Sequence, residues 1–317
     1  MTTTSDHAPG QPREFTRADF DRLVETRKNW GRWGADDQRG AINLIDDDKR
    51  RSAASLVRSG RLVSLSRPFP KDVAANNPRP AMHYLQRVGQ DALDFYGISY
   101  HGVASTHLDA LCHMWSTEGM WNGRSPDEAY TSDGFTWGSV EHWQPGIVTR
   151  GVLLDVPRLR GTDCVEQDAP VQGWELERIV SERGIRLTPG DAIVVHSGRD
   201  AWSRKHGVPW GAGPNLGRPG PRDPRPGLHA SCLEFIRDHD VAVLVWDMLD
   251  ALPNGLDVVH SVHAAIYLFG IALVDNAALE PLVAACAEEG RDEFMLTVSP
   301  LPVKGGTGSP ANPLAMF

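Results

Sequence analysis

The sequence predicts an α/β protein, and three observations support that class. After residue 150, short apolar runs alternate with amphipathic stretches that stop at glycine, as strands alternate with helices. The runs Gly151-Val-Leu-Leu-Asp-Val156, Gly190-Asp-Ala-Ile-Val-Val-His-Ser197 and Val241–Trp246 are continuously apolar at their centres, as in strands buried on both faces. No linker-like boundary divides the chain, so residues 15–317 are expected to form one domain behind a polar leader, 1–14, that reads as disordered.

Each element has a local reason. Arg17–Thr26 is an amphipathic helix with Thr16 as its cap. Trp30-Gly-Arg-Trp-Gly34 is too glycine-rich for a helix, Ile45–Val57 is helical again, and Arg61–Ser66 alternates like a strand. Four prolines make 68–80 a loop, and the aromatic and β-branched residues of Phe95–Asp109 favour an extended chain. Helices are expected over Gln172–Arg183, Leu228–Asp238, Val259–Phe269 and Leu279–Glu289, with glycine stops at Gly184, Gly270 and Gly290. Glu293–Val298 is the last expected strand. Between them, Trp202–Pro226 reads as a long Gly/Pro/Trp-rich loop, of a length that marks function or disorder.

Composition excludes several functions. A hydrophobic fraction of 41% and a charged fraction of 23% are ordinary for a globular chain. A net charge of -9 disfavours nucleic acid as a partner. No apolar run approaches the roughly 20 residues of a membrane span, and the N-terminus lacks a signal-peptide pattern. Four scattered cysteines without CxxC spacing argue against a zinc ribbon or a disulfide framework, and the cytoplasm is the expected location.

One segment concentrates metal-ligating residue types: His101-Gly-Val-Ala-Ser-Thr-His-Leu-Asp-Ala-Leu-Cys-His113. His107 and Asp109 are two apart, so in an extended chain both side chains point the same way, with Cα atoms roughly 6–7 Å apart. His113 is close enough to serve the same pocket if the chain curls. Cys112 beside His113 is a poor nucleophile pair, because adjacent side chains diverge. His260 and His263 are three apart on an expected helix and so share a face. By pattern alone His260 reads as solvent-facing or capping. Ten tryptophans are many for 317 residues, and Trp33, Trp115 and Tyr84 are candidates for a substrate pocket, although core packing explains most of the tryptophans. Gly305-Gly306-Thr-Gly308 does not run from a strand into a helix, so it reads as a closing tail rather than a phosphate loop.

Thr106-His107-Leu-Asp109 followed by His113 resembles the His-x-Gly-Thr-His-x-Asp-x-Pro-x-His signature of the metal-dependent cyclase family, which includes bacterial kynurenine formamidase and isatin hydrolase. Further blocks resemble that family in order: Trp30–Gly34 with Asn43-Leu-Ile45, Gly151–Asp155, Pro189–Ile193, His263 with Gly270 and Asp275, and the closing Pro300–Pro302 and Gly308–Pro313. The resemblance implies a mixed, partly barrel-like β core of swivelling β/β/α type wrapped by helices, assembled as homodimers or homotetramers. It implies His107, Asp109 and His263 as metal ligands, Asp275 where the family has Glu, and His113 as general acid/base. The signature's first His falls on Val103, which cannot ligate. His101 is the nearest substitute; in a straight strand it would stand ~20 Å from His107, so sharing an ion requires a bend, which Gly102 allows.

Nitrogen and oxygen ligands without thiolate suit Zn²⁺ or Mn²⁺, one ion or two. Such an ion lowers the pKa of bound water from ~15.7 to about 7. The function expected is hydrolysis of an amide or small cyclic amide in a ring-containing substrate. Lactone hydrolysis, a ring-closing cyclase or dehydratase on the same scaffold, and a metal-free binding protein are the alternatives.

Overall fold

The computed structural model describes residues 10–214, 223–258 and 260–317. The continuously apolar runs form the centre of the main sheet. Ile147–Asp155, Ala192–His196, Val243–Trp246 and Ala272–Asp275 lie side by side and parallel. They are buried almost throughout, as parallel strands covered by helices must be. Antiparallel strands extend the sheet in both directions. Glu293–Val298 pairs with Ile147–Asp155, Leu314–Met316 follows, and Leu62–Ser64 forms that edge. On the other side His107–Asp109 pairs with Ala272–Asp275, and Gly308–Pro310 forms the far edge.

Connectivity explains the curvature of this nine-stranded sheet. Gly308–Pro310 is one edge and Leu314–Met316 is second from the other, yet only residues 311–313 join them. Four Cα steps reach at most about 14 Å, whereas the same strands in a flat sheet would lie roughly 33 Å apart. The sheet therefore curls into a half-barrel. The joint is closed by Ser64 Oγ donating to Asn312 Oδ1 at 2.6 Å and by Leu65 N donating to Pro313 O at 2.8 Å. This is the mixed, partly barrel-like α/β core with surrounding helices that the sequence implies.

Most expected elements are present with shifted ends, and some are corrected. The Arg17–Thr26 helix has its Thr16 cap, with Asp19 completing a reciprocal capping box. The second helix starts only at Asp47, where the Asp46 side chain caps it. The extended stretch Phe95–Asp109 is not continuous: Asp91–Gly97 pairs with an unforeseen strand, Met82–Val88, and the chain bends over 101–105 before His107–Asp109. The expected loop Trp202–Pro226 begins inside the helix Arg199–His206, and its residues 215–222 lie outside those described. The helix expected over Val259–Phe269 begins at Ala264; residue 259 lies outside those described, and His260 takes a left-handed φ of 55°. The tail after Gly305 supplies two strands of the main sheet. Residues 1–9 of the expected leader are outside those described, while Arg13 pairs with Glu234 at 2.7 Å and with Asp19 at 3.0 Å. No helix among the described residues is long and apolar enough to cross a membrane.

A glycine pair locks the corner that delivers Asp275. Gly270 ends the Ala264–Phe269 helix at φ 75°, and its carbonyl accepts a 2.7 Å hydrogen bond from Ala41 N. A Cβ on Gly40, at φ 59°, would stand 2.2 Å from that carbonyl oxygen, whereas a Cβ on Gly31, at φ 75°, meets nothing within 4 Å. Gly31→Ala is therefore expected to cost only the left-handed strain, about 1–2 kcal/mol. Gly40→Ala should cost about 1–3 kcal/mol more through the forced contact. Thermal melts of the two variants check this; equal losses would remove the packing argument.

Candidate metal centre

Cross-strand register assembles the site. His107 stands directly opposite Asp275 and Asp109 opposite Leu273 in the antiparallel ladder. Directly paired residues share a face, so His107, Asp109 and Asp275 point the same way. Although one methylene shorter than Glu, Asp275 brings its Oδ2 within 4 Å of both His263 Nε2 and His107 Nε2. His263 enters from the turn that starts the Ala264–Phe269 helix. His113 follows the strand within a tight turn in which its own N–H donates to Ala110 O at 3.0 Å.

Asp109, fully buried, is the hub. Its Oδ1 lies 3.0 Å from His101 Nδ1 and 3.4 Å from His107 Nε2, and its Oδ2 lies 3.7 Å from His113 Nε2 and 4.0 Å from His263 Nε2. Asp275 Oδ2 is 3.3 Å from His263 Nε2 and 3.8 Å from His107 Nε2. Neither Asp109 oxygen has a hydrogen bond, nor does His101 Nδ1, although the last is close enough: its geometry is wrong for one. Donor atoms of His101, His107 and Asp109 lie within 4.8 Å of one another, as do those of Asp109, His263 and Asp275. Buried lone pairs that face each other without donors are unfavourable alone and are what a cation satisfies.

The outward nitrogens are tied down. His107 Nδ1 donates to Ser105 O at 2.9 Å, His263 Nδ1 donates to Asp250 Oδ2 at 2.5 Å, and His101 Nε2 contacts Thr307 Oγ1 at 2.9 Å. A carbonyl or carboxylate can only accept, so Nδ1 carries a proton in His107 and His263, and in the neutral ring Nε2 is the nitrogen left to face a cation. Burial opposes charge on His263, but Asp250 and Asp275 on either side raise its pKa well above the ordinary value, so a bound cation must displace a proton there. Asp275 is held likewise: Trp246 Nε1 donates to its Oδ1 at 2.5 Å. Asp250 also accepts from Val262 N at 2.6 Å and faces His260 Nδ1 at 3.6 Å.

The bend that brings His101 home is fixed by polar groups distant in sequence. Asn276 Nδ2 donates to Gly102 O at 2.8 Å and to Ser105 O at 3.0 Å. Its Oδ1 accepts from Arg199 Nη1 at 2.6 Å, and Arg199 Nη2 donates to the Val103 carbonyl. Val103 itself is buried apolar packing, so the signature's first position contributes a backbone acceptor and His101 supplies the imidazole. Arg199 is placed by Asp247, whose carboxylate accepts from the N–H groups of Ser197, Gly198 and Arg199.

Electrostatics follow from this arrangement. Burial alone would raise the Asp109 pKa, but His113, His107 and His101 hold it below the ordinary carboxylate value. Burial pushes His113 down to about 4 against the attraction of Asp109, so its ring rests neutral at pH 7 and can accept a proton. The ring stacks on His101 at 4.2 Å with an interplanar angle of 6°. The Cys112 thiol is pushed up to about 12 by burial, which makes it a poor nucleophile.

A cavity of about 240 Å³ opens on this cluster, and His101, His107, His113, His260, His263 and Asp275 line it. The three aromatic candidates are elsewhere. Trp33 packs on Trp121 at 6.0 Å, Trp115 lies against Phe135 at 6.1 Å, and Tyr84 sits on the exposed hairpin stacked on Phe95. Tyr100 is the aromatic residue that lines the cavity, with its ring 5.7 Å from His107. His260 and Asp250 also belong to the site. Their signal was present in the sequence as a second His three residues before His263, but nothing local tied Asp250 to either.

A family model described as "Putative cyclase" matches residues 63–251, more than half of the 317. The span includes His101, His107, Asp109, His113 and Asp250 and stops short of His263 and Asp275. The crystal structure of a novel cyclase is similar at TM-score 0.80 and 28% identity, over 93% of this chain and 99% of that one. An isatin hydrolase bound to the product analogue thioisatinate is similar at 0.55 and 17%, over 83% and 94%. Isatin hydrolase A from Ralstonia solanacearum is similar at 0.56 and 18%, over 80% and 91%. At such identities the likeness to the isatin hydrolases is one of fold. No curated protein matches the chain significantly.

The bend can be tested on its own. Asn276→Asp keeps the acceptor for Arg199 but removes both donations to the 102–105 backbone. It is expected to lower stability by about 2–4 kcal/mol and to speed amide hydrogen exchange over 101–106 more than elsewhere. Unchanged exchange in that segment would show that Asn276 does not hold it.

Proposed function

The chain belongs to the cyclase family, and from that membership we propose that it is a metal-dependent hydrolase opening an amide or small cyclic amide C–N bond. The observation that carries this reading is the buried Asp109 carboxylate, without a hydrogen bond, among imidazoles whose outer nitrogens are tied to other groups. His107, Asp109, His101, His263 and Asp275 would hold the ion. Their nitrogen and oxygen donors suit Zn²⁺ or Mn²⁺, and two donor trios sharing Asp109 accommodate one ion or two. When bound, the ion makes water acidic enough to ionise near neutral pH and polarises a carbonyl.

The protein's residues supply the remaining steps. His113, neutral at rest, takes the proton from water at Nε2 as the C–O bond forms, then returns it to the leaving nitrogen as the C–N bond breaks. His260, on the cavity wall with Asp250 behind it, would contact a bound substrate. Asp250 orients His263 as a metal ligand by accepting its outer N–H. The cavity volume suits a small, ring-containing molecule. Lactone opening uses the same groups, with oxygen as the leaving atom. Ring closure is the second reading, favoured by the description of the 28%-identical structure as a cyclase.

Four measurements test the proposal. Elemental analysis of protein purified without chelator should find Zn or Mn bound to the unmodified chain and lost in His107→Ala; an active, metal-free chain would end the reading. His113→Ala should keep its metal and lose about 10²–10⁴-fold in turnover, and full activity would remove its acid/base role. Product formed in oxygen-18 water should carry the label, whereas unlabelled product selects ring closure. Asp250→Asn should weaken metal binding about 10–100-fold, read by competition with a chelating dye.

A further inference from the structure

The cavity over the metal cluster also carries two arginines. Asp275 is the one carboxylate among the described residues that line it, and its Oδ2 is turned to His263 and His107. Arg79 and Arg225 add charge of the opposite sign to the same wall. Arg79 stands between Pro78 and Pro80, whose rings restrict the backbone on both sides of it. Buried Asn77 pins the same turn by donating to Pro70 O at 3.2 Å and to Asp72 O at 2.8 Å. Arg79 itself is exposed and makes no side-chain hydrogen bond or ion pair among the described residues. Arg225 is buried, only 8% exposed. Its Nε donates to Asp250 O at 3.0 Å, its guanidinium lies 5.6 Å from the centre of the Trp210 ring, and its Nη2 is 4.0 Å from Asp250 Oδ2. The same Oδ2 is 2.5 Å from His263 Nδ1, so this guanidinium stands within a small molecule's length of the metal cluster. A guanidinium fixed in this way offers a planar fork that matches a carboxylate.

We propose that Arg225 and Arg79 form an anion subsite, and that the molecule this cavity takes carries a carboxylate besides the group that faces the metal cluster. The subsite stands on the cavity alone; that its ligand is the substrate of C–N hydrolysis rests on the function proposed above. The chain has a net charge of -9, which repels anions from most of its surface, so an anionic ligand needs local cations to enter. A neutral or cationic ligand has no use for them. Asp250 already answers part of the Arg225 charge, which leaves a surplus of about one positive charge, that of Arg79. Such a surplus suits a singly charged carboxylate better than a phosphate, with nearly two negative charges. The two ends of the cavity then fix the direction of the ligand. An amide carbonyl goes to the metal cluster, and the carboxylate is held by the arginines, so that the bond to be broken is aligned before reaction. A cavity of about 240 Å³ admits a single ring that bears both groups.

Titration calorimetry of the full chain tests the subsite without an activity assay. The probes are isophthalamate, a single ring with one amide and one carboxylate, and isophthalamide, its neutral diamide. The unmodified chain is expected to bind isophthalamate at least about 10-fold tighter than isophthalamide. Arg79→Gln should reduce that preference at least about 3-fold and leave isophthalamide binding unchanged. Because Arg79 is exposed, this variant does not depend on repacking the interior. Arg225→Gln should remove most of the remaining preference. Equal affinity for the two probes, or no binding of isophthalamate at millimolar concentration, overturns the proposal. So does a preference that Arg79→Gln leaves intact, since the carboxylate is then taken by the metal cluster. A chain that proves to lack metal and hydrolysis, yet shows the Arg79-dependent preference, would overturn the proposed reaction and support the subsite.

Discussion

Everything around the site answers one constraint, a carboxylate buried with no hydrogen-bond donor of its own. Taking Asp109 out of water is costly unless its charge is met, and the chain meets it with imidazoles from two separated stretches, the 101–113 segment and the turn at His263. Those rings compensate the charge only if their orientation is fixed, so each leans outward on a partner: Ser105 O, Asp250 or Thr307. Hydrogen bonds within the protein orient the shell by themselves, the condition for a precise site.

The curled sheet makes this convergence possible. Asp275 and Asn276 close one parallel strand, and Asp247 and Asp250 follow the next, at the carboxyl ends where open α/β sheets place their ligands. The antiparallel strand His107–Asp109 begins beside Asp275 and carries the segment containing His101 and His113 over the same end. Curling then returns the tail, so that Thr307 and Gly308 pack on His101 from the far edge.

Legibility in the sequence followed the range of the interaction. The parallel strands and glycine-stopped helices were readable because burial and capping act within a few residues. The pair His107 and Asp109 was readable because strand periodicity fixes their common side. The position of His101 was not: a straight strand puts it far away, and the bend depends on Asn276 and Arg199, about 175 and 100 residues along the chain. His260 was misplaced because the helix pattern ran through a turn whose left-handed geometry answers to Asp250. The aromatic candidates were drawn from nearness in sequence to the signature, but Trp33 packs tilted on Trp121, Trp115 lies tilted against Phe135, and Tyr84 stacks on Phe95.

The sequence alone determined the class of the fold, the family resemblance and the residue types of the centre, because these reside in local pattern and side-chain chemistry. Tertiary structure decided which residues meet. It brought the His101 imidazole, two residues before the signature's first position, to 3.0 Å from Asp109, set Asp275 in direct register with His107, and added Asp250 and His260 to the cluster. Those outcomes depend on register, curvature and hydrogen bonds between distant segments, and no window of the chain contains both partners of such a contact.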